Sequence, residues 1–405
     1  MINLKELKIS VVGLGYVGLP LAVEFSKKFP VLGFDLSVKR IEELNNKIDK
    51  TNELSTDVLE RVMSKDGNLK ISSSQSDISS SNFIIVTVPT PIDDYKVPDL
   101  TFIISACEMI GQNLNKNDIV IFESTVFPGA TEEVCVPILE SQSGLKFNKD
   151  FFCGYSPERI NPGDKEHTIS SVIKVTSGST PEAAELINKA YSEIINAGTF
   201  LASSIKVAEA AKVIENIQRD VNIGLINEIY LACNNLNINF KNVNYLASTK
   251  WNFLNFKPGL VGGHCLPVDP YYFSYICKKK NFNTKITLAG RNINDSMTKK
   301  VINNINNVIK KKKLAKKKIL ICGLTYKKNV ADLRNSLAFK IFKILKKKNI
   351  KGYDPLVGDK VAKKNGILIK EPKLQKFDIF FVLTNHDKIE KYLKKVNKNQ
   401  IFFPI

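Results

Sequence analysis

Apolar positions along the chain follow two periods. Short runs of apolar, β-favouring residues occur at 8–12, 31–34, 82–88 and 118–122, and again at 318–322 and 351–353, lengths suited to strands buried on both faces. Between the first two, Leu19 to Lys28 has helical spacing. The chain therefore opens as strand, glycine turn, helix, strand, the start of a parallel βαβ unit. From Lys206 to about Leu236 the only Gly or Pro is Gly224, and apolar residues recur at Val207, Ala210, Ala211, Ile214, Ile217, Val221, Leu225 and Ile229. That spacing predicts one helix longer than the globular mean, with a stripe able to bridge two domains or pack on a second copy. Asn255 to Tyr272 is rich in Gly and Pro and reads as loop. Ser72 to Ser81 is polar and serine-rich and reads as a surface loop. The expected fold class is α/β, with two Rossmann-like doubly wound parallel-sheet domains joined by a long central helix.

Composition narrows the class. The 405 residues are 43% hydrophobic and 24% charged, which fits a folded chain and argues against a disordered one. No window of about twenty uninterrupted apolar residues would span a bilayer, so no membrane insertion is expected. The run Ile9 to Val23 after Lys5 and Lys8 imitates a short signal peptide, but glycines interrupt it, Glu24 follows and no cleavage pattern appears, so it reads as structure. Seven cysteines without a CxxC argue against a disulfide framework and a zinc site. A reducing, cytoplasmic setting is expected, with no metal.

The formal charge of +19 is concentrated: residues 301–405 hold 27 Lys+Arg against 7 Asp+Glu, while residues 1–300 are nearly balanced. A basic region is compatible with a nucleic-acid or membrane footprint. Its runs Lys310–Lys313, Lys316–Lys318 and Lys346–Lys348, however, carry no interleaved aromatics for base stacking, and a lysine-rich solvated surface around helices is the plainer reading. Only six basic residues are arginines: Arg40, Arg61, Arg159, Arg219, Arg291 and Arg334. Each is a candidate for bidentate work that lysine cannot do.

Three constellations carry chemistry. Gly13-x-Gly15-x-x-Gly18 sits between a strand and a helix, with Asp35 ending the next strand, the context of a dinucleotide fingerprint. Gly13 would make the tight turn, Gly15 admit the pyrophosphate and Gly18 allow close helix packing, while Asp35 would accept from the ribose hydroxyls and favour NAD over NADP. Arg40 stands near enough to soften that preference. Second, Gly262-Gly263-His264-Cys265 precedes Asp269. Glycines behind a thiol would let a ligand approach it, and a helix starting near Cys265 would lower its pKa. A structural cysteine is the alternative, and His264 fits a base, a core group or a surface residue. Third, Lys212 and Asn216 stand four apart on the long helix after Ala210 and Ala211, suited to an oxyanion or simply to an exposed face.

Taken with Ser124-Thr125-Val126-Phe127-Pro128-Gly129, Ser156-Pro157-Glu158-Arg159-Ile160-Asn161-Pro162-Gly163 and Asp332-Leu333-Arg334-Asn335-Ser336, these groups resemble the UDP-glucose/GDP-mannose dehydrogenase family from about residue 8 to about residue 395. Within it they look most like the branch acting on UDP-N-acetylhexosamines. The resemblance implies two-step, NAD-dependent oxidation of the sugar C6 hydroxyl to a carboxylate without release of the aldehyde, for surface polysaccharide synthesis. It implies Cys265 as nucleophile through a thiohemiacetal and a thioester, with Lys212 and Asn216 holding an oxyanion and a water. Asp269 would tune proton transfer, and Glu158 and Thr125 would position or activate water. NAD contacts are implied at Gly13, Gly15, Tyr16, Val17, Gly18, Asp35, Arg40, Thr90 and Thr125. UDP-sugar contacts are implied at Arg159, Ile160, Lys212, Asn216, Arg219, Lys250, Gly262, Tyr326, Lys327 and Arg334. The implied organisation is an NAD-binding domain at 1–200, a central helical, dimerising and catalytic-loop region at 201–305, and a UDP-sugar-binding domain at 306–405, in a cytoplasmic homodimer that binds no nucleic acid.

Two departures from the family pattern bear on affinity. Lys250 stands where many members have an arginine reaching across the dimer, and the chain stops at Phe403-Pro404-Ile405, where they usually continue. UDP-glucose or UDP-N-acetylmannosamine remain alternative substrates, and a nucleic-acid-binding protein on a vestigial Rossmann fold remains a rival of another class.

Overall fold

The computed structural model describes residues 2–51, 53–159 and 168–404. The chain divides into two compact units, Met1–Glu215 with Tyr271–Asn281 and Asn216–Pro270 with Phe282–Ile405.

The first unit begins β1 (Ile9–Val12), α1 (Gly18–Ser26), β2 (Val31–Phe34), α2 (Val38–Asn45), α3 (Thr56–Val62) and β3 (Leu69–Ser72). It continues β4 (Phe83–Val86), α4 (Thr101–Gly111), β5 (Ile119–Phe122), α5 (Val136–Ser143) and β6 (Phe152–Tyr155). These strands form one parallel sheet in the order β3-β2-β1-β4-β5-β6. The chain winds outward on one side, then crosses to β4, so β1 and β4 border the crevice where open sheets bind ligands. β1, β4 and β5 are buried at every position, as strands covered on both faces must be. A two-stranded parallel ribbon of β7 (Lys174–Thr176) and β8 (Thr199–Leu201) flanks α6 (Pro181–Ser192). Phe25 of α1 packs edge-on against Phe83 and Tyr191 in the core. The serine-rich stretch is not open loop: Gln75–Ser80 forms a 3₁₀ turn that buries Ile78, with the Ser72 hydroxyl donating to Asp77.

α7 (Ile205–Asn235) is the long helix expected from the sequence and passes from the first unit into the second, whereas α9 (Asp269–Lys279), which follows α8 (Phe240–Ala247), starts in the second unit and ends in the first. In the second unit α7 packs on α10 (Lys285–Lys311). A Cβ on Gly224 would lie 2.8 Å from the Gly290 carbonyl oxygen, so the one glycine of α7 is where two helix backbones nearly touch. At the same crossing Arg291, fully buried, pairs with the buried Asp220, and the Asn294 amide donates to Asp220 at 2.9 Å. Removing one partner of such a buried pair costs about 3–5 kcal/mol. Arg291 is thus a structural cation.

The second unit closes with β9 (Ile319–Cys322), α11 (Leu337–Leu345), β10 (Ile350–Tyr353), α12 (Asp359–Asn365), β11 (Ile367–Leu368), β12 (Ile379–Val382), α13 (Asp387–Leu393) and β13 (Ile401–Phe402). Its parallel sheet has the order β11-β10-β9-β12-β13, the same winding with the crossover between β9 and β12. The lysine runs do not ring helices as the sequence suggested. Lys310 and Lys311 end α10, Lys313 takes a left-handed φ of 54°, and Lys346–Lys348 follow the end of α11. Charge at a helix C-terminus faces the negative end of the dipole.

Candidate functional site

In the first unit the strand-to-helix turn has the geometry a dinucleotide requires. Gly13 adopts φ +97° against Thr87, whose hydroxyl donates to the Gly13 carbonyl at 2.7 Å. A Cβ on Gly18 would sit 1.8 Å from that carbonyl oxygen, whereas one on Gly15 would meet nothing within 4 Å. The turn is therefore tight where the helix packs and open where a pyrophosphate would approach. Tyr16 and Val17 complete it, Val17 as the residue before α1. Asp35, just beyond β2, accepts from the Leu14 and Ser37 amides, both at 2.9 Å. Arg40 borders the same turn: its Nε donates to the Leu14 carbonyl and its Nη2 to the Asp49 carboxylate, each at 2.9 Å. Thr90 follows β4 and Thr125 follows β5, both half-buried at the C-terminal edge of the sheet.

Glu158 and Arg159 follow β6. Arg159 pairs with Glu215, and Ile160 lies outside the described residues. Lys212 is buried on α7. Glu209, one turn earlier and fully buried, accepts from the Gly129 and Thr131 amides, tying α7 to the loop that carries Thr125. Burial pushes the Glu209 carboxyl up to about 7, and the bonds from Thr131 and Gly129 only partly offset it. Glu158 also belongs to a buried network invisible in linear sequence: the Lys174 ammonium lies 2.8 Å from Glu158 and 2.8 Å from Glu123, and the Tyr191 hydroxyl donates to Glu123. The available signals were a lysine set between the apolar residues Val172-Ile173 and Val175, and a carboxylate directly after β5.

In the second unit the Asn216 amide donates to Asp269 at 2.6 Å, which joins two predicted residues far apart in sequence. α9 begins at Asp269, four residues after Cys265, and the turn leading into it closes on the Cys265 carbonyl, which accepts from the Val268 and Asp269 amides at 2.9 Å. Cys265 is exposed, whereas five of the other cysteines are buried and Cys277 is partly so. The flanking glycines are closely packed: a Cβ on Gly263 would meet the Tyr326 ring at 2.8 Å, and one on Gly262 the Asn335 carbonyl oxygen at 2.8 Å. His264 is a surface group, bonded to Asp332 at 3.2 Å. Burial opposes ionisation of Asp332, yet the bonds from His264 and Arg334 outweigh it and hold the carboxyl well below its usual range. Arg334 forks onto the same carboxylate from an exposed position.

Tyr326 and Lys327 occupy the loop after β9. Asp354 accepts from the Leu324 and Thr325 amides at 2.6 and 3.0 Å, much as Asp35 does from Leu14 in the first unit, and the Asn329 amide donates to Nδ1 of the buried His386 at 2.8 Å. Arg219 and Lys250 are exposed. No cluster of three or more metal-ligating side chains occurs among the described residues.

Sequence comparison covers nearly the whole chain. Models of the UDP-glucose/GDP-mannose dehydrogenase family match its NAD binding domain to residues 7–195, its central domain to 206–296 and its UDP binding domain to 320–405. The chain belongs to this family. It is an oxidoreductase, an NAD-dependent nucleotide-sugar dehydrogenase. A UDP-N-acetyl-D-glucosamine 6-dehydrogenase of Pseudomonas aeruginosa is 54% identical over 87% of this chain and 84% of that protein. One from Salmonella typhi is 48% identical over 96% of this chain and 92% of its own length. Among solved structures, a UDP-D-ManNAc dehydrogenase from Pyrococcus horikoshii superposes with a TM-score of 0.84 at 29% identity, covering 97% of this chain and 93% of that one.

Proposed function

We propose that the chain oxidises C6 of a UDP-N-acetylhexosamine, UDP-N-acetylglucosamine foremost, to the UDP-uronic acid. The observation that carries this reading is 54% identity to a UDP-N-acetyl-D-glucosamine 6-dehydrogenase in a chain that keeps an exposed Cys265 and a bonded Asn216–Asp269 pair. The turn from Gly13 to Gly18 with Asp35 would hold NAD, which when bound takes up one hydride at each oxidation. Lys212 and Asn216 steady the sugar oxygen as its proton leaves to water. The Cys265 thiolate then adds to the aldehyde carbon, giving a thiohemiacetal that the second oxidation converts to a thioester. Water positioned by Thr125 and Glu158 attacks the thioester carbonyl, its oxygen bonds the carbon, a proton passes to the base and the Cys265 sulfur departs as thiolate. Asp269, bonded to Asn216, tunes these proton movements. Arg159, Ile160, Arg219, Lys250, Gly262, Tyr326, Lys327 and Arg334 are the proposed substrate contacts, cations among them facing the pyrophosphate.

The working form proposed is a cytoplasmic homodimer feeding surface polysaccharide synthesis, with NAD binding in 1–200, dimerisation and the catalytic loop in 201–305 and UDP-sugar binding in 306–405. Support for the dimer comes from Leu225, Leu236, Tyr245, Leu246 and Trp251, all large, apolar and more than half exposed on or next to α7 and α8. No helix among the described residues is long and apolar enough to cross a membrane.

The test is NADH formation from UDP-N-acetylglucosamine, UDP-N-acetylgalactosamine, UDP-N-acetylmannosamine and UDP-glucose, with Cys265→Ser as control. One of the first two should exceed UDP-glucose at least tenfold in kcat/KM, and Cys265→Ser should fold, bind NAD and lose steady-state turnover. Preference for UDP-glucose, or normal turnover in the serine variant, would contradict the reading.

A further inference from the structure

Lys174 occupies the first position of β7, and its residue is only 3% exposed. Desolvating an ammonium costs several kcal/mol, and a buried ion pair is weak grounds for stability by itself. What surrounds Lys174 is therefore informative. Glu123 reaches it from the end of β5 and Glu158 from the segment after β6, each at 2.8 Å. Tyr191 of α6 donates to Glu123, and its ring centroid lies 5.5 Å from the ammonium. The other Glu158 oxygen accepts the Arg159 amide at 2.6 Å. Neighbouring groups are otherwise engaged: the Ser156 hydroxyl donates to the Val175 carbonyl, and the Arg159 guanidinium is taken up by Glu215 and the Ile173 carbonyl.

We propose that Lys174 is a positioning residue for the reaction: it holds the Glu158 carboxylate ionised and fixed in direction, while Glu123, steadied by Tyr191, competes for the same ammonium and sets how much of its charge Glu158 receives. This rests on the reading of Glu158 as the group that positions or activates water. Burial works against the charged ammonium, but Glu123 and Glu158 together outweigh it and raise the Lys174 pKa. Burial pushes the Glu123 carboxyl up against the pull of Lys174. One cation thus serves two carboxylates, and changing either competitor must alter Glu158.

The experiment is the pH profile of kcat and kcat/KM, pH 5 to 9, for the full-length enzyme with its best UDP-sugar. Glu158→Gln checks the underlying reading and should lower kcat at least a hundredfold. Lys174→Met should move the acidic limb up by one pH unit or more, with KM for NAD changed less than threefold. Glu123→Gln, which keeps the size and bonding of the buried group, should move that limb down. Opposite shifts are what a structural role would not produce, and Glu123→Gln answers alone if Lys174→Met does not fold. An acidic limb unmoved in Glu123→Gln while Glu158→Gln is inactive would overturn the proposal. An active Glu158→Gln would remove the reading of Glu158 and the proposal with it.

Discussion

Gly15 and Gly18 are three residues apart in one turn, yet a methyl group meets open space at the first and a carbonyl oxygen at 1.8 Å at the second. Gly18→Ala should therefore destabilise the protein by about 2 kcal/mol or more through overpacking. Gly15→Ala should leave stability within about 0.5 kcal/mol of wild type and weaken NAD binding at least tenfold. Thermal melts paired with NAD titrations separate the two, and equal losses of stability would refute the division of labour. The fingerprint was legible because its parts are consecutive and its context is a strand and a helix. The close packing of the glycines beside Cys265 was not legible, since the Tyr326 ring and Asn335 carbonyl against them come from a stretch over sixty residues away. Lys174, Glu123 and Glu158 meet only in three dimensions, so no spacing rule finds them.

At the scale of elements, strands and the long helix were readable because runs of four apolar residues and a sustained helical stripe leave few other ways to bury them. The Gly224 crossing on Gly290 was not, because it depends on which helix packs there. Glu209 makes the attachment of α7 to the Gly129–Thr131 segment pH-dependent. Its folded pKa of about 7 lies above the ordinary 4.5, so the folded state binds the extra proton. The contribution is fully present below pH 4.5, falls as pH rises through 7 and is flat above, a change of about 3 kcal/mol. Melts at pH 5 and pH 8 should show wild type losing more stability than Glu209→Gln between them. Parallel behaviour of the two proteins would contradict this assignment.

For the whole molecule, the two parallel sheets repeat one plan: a glycine turn after the central strand, and an aspartate after the next strand that accepts turn amides, Asp35 in one unit and Asp354 in the other. The proposed dimer makes its own claim on the exposed α8 region. Trp251, 91% exposed, and Tyr245, 72% exposed, are apolar surface a partner would cover. Tyr245→Glu with Trp251→Glu should halve the mass seen by light scattering while melting stays near that of wild type, and an unchanged mass would place the interface elsewhere.

In the proposed reaction one site carries the sugar through two oxidations with the intermediate held on Cys265. Counting NADH against UDP-N-acetylglucosamine consumed to completion, with an aldehyde trap present, tests it most directly. The expected result is two NADH per sugar, a UDP-uronic acid as product and no trapped aldehyde. One NADH per sugar with aldehyde recovered in the trap would contradict it.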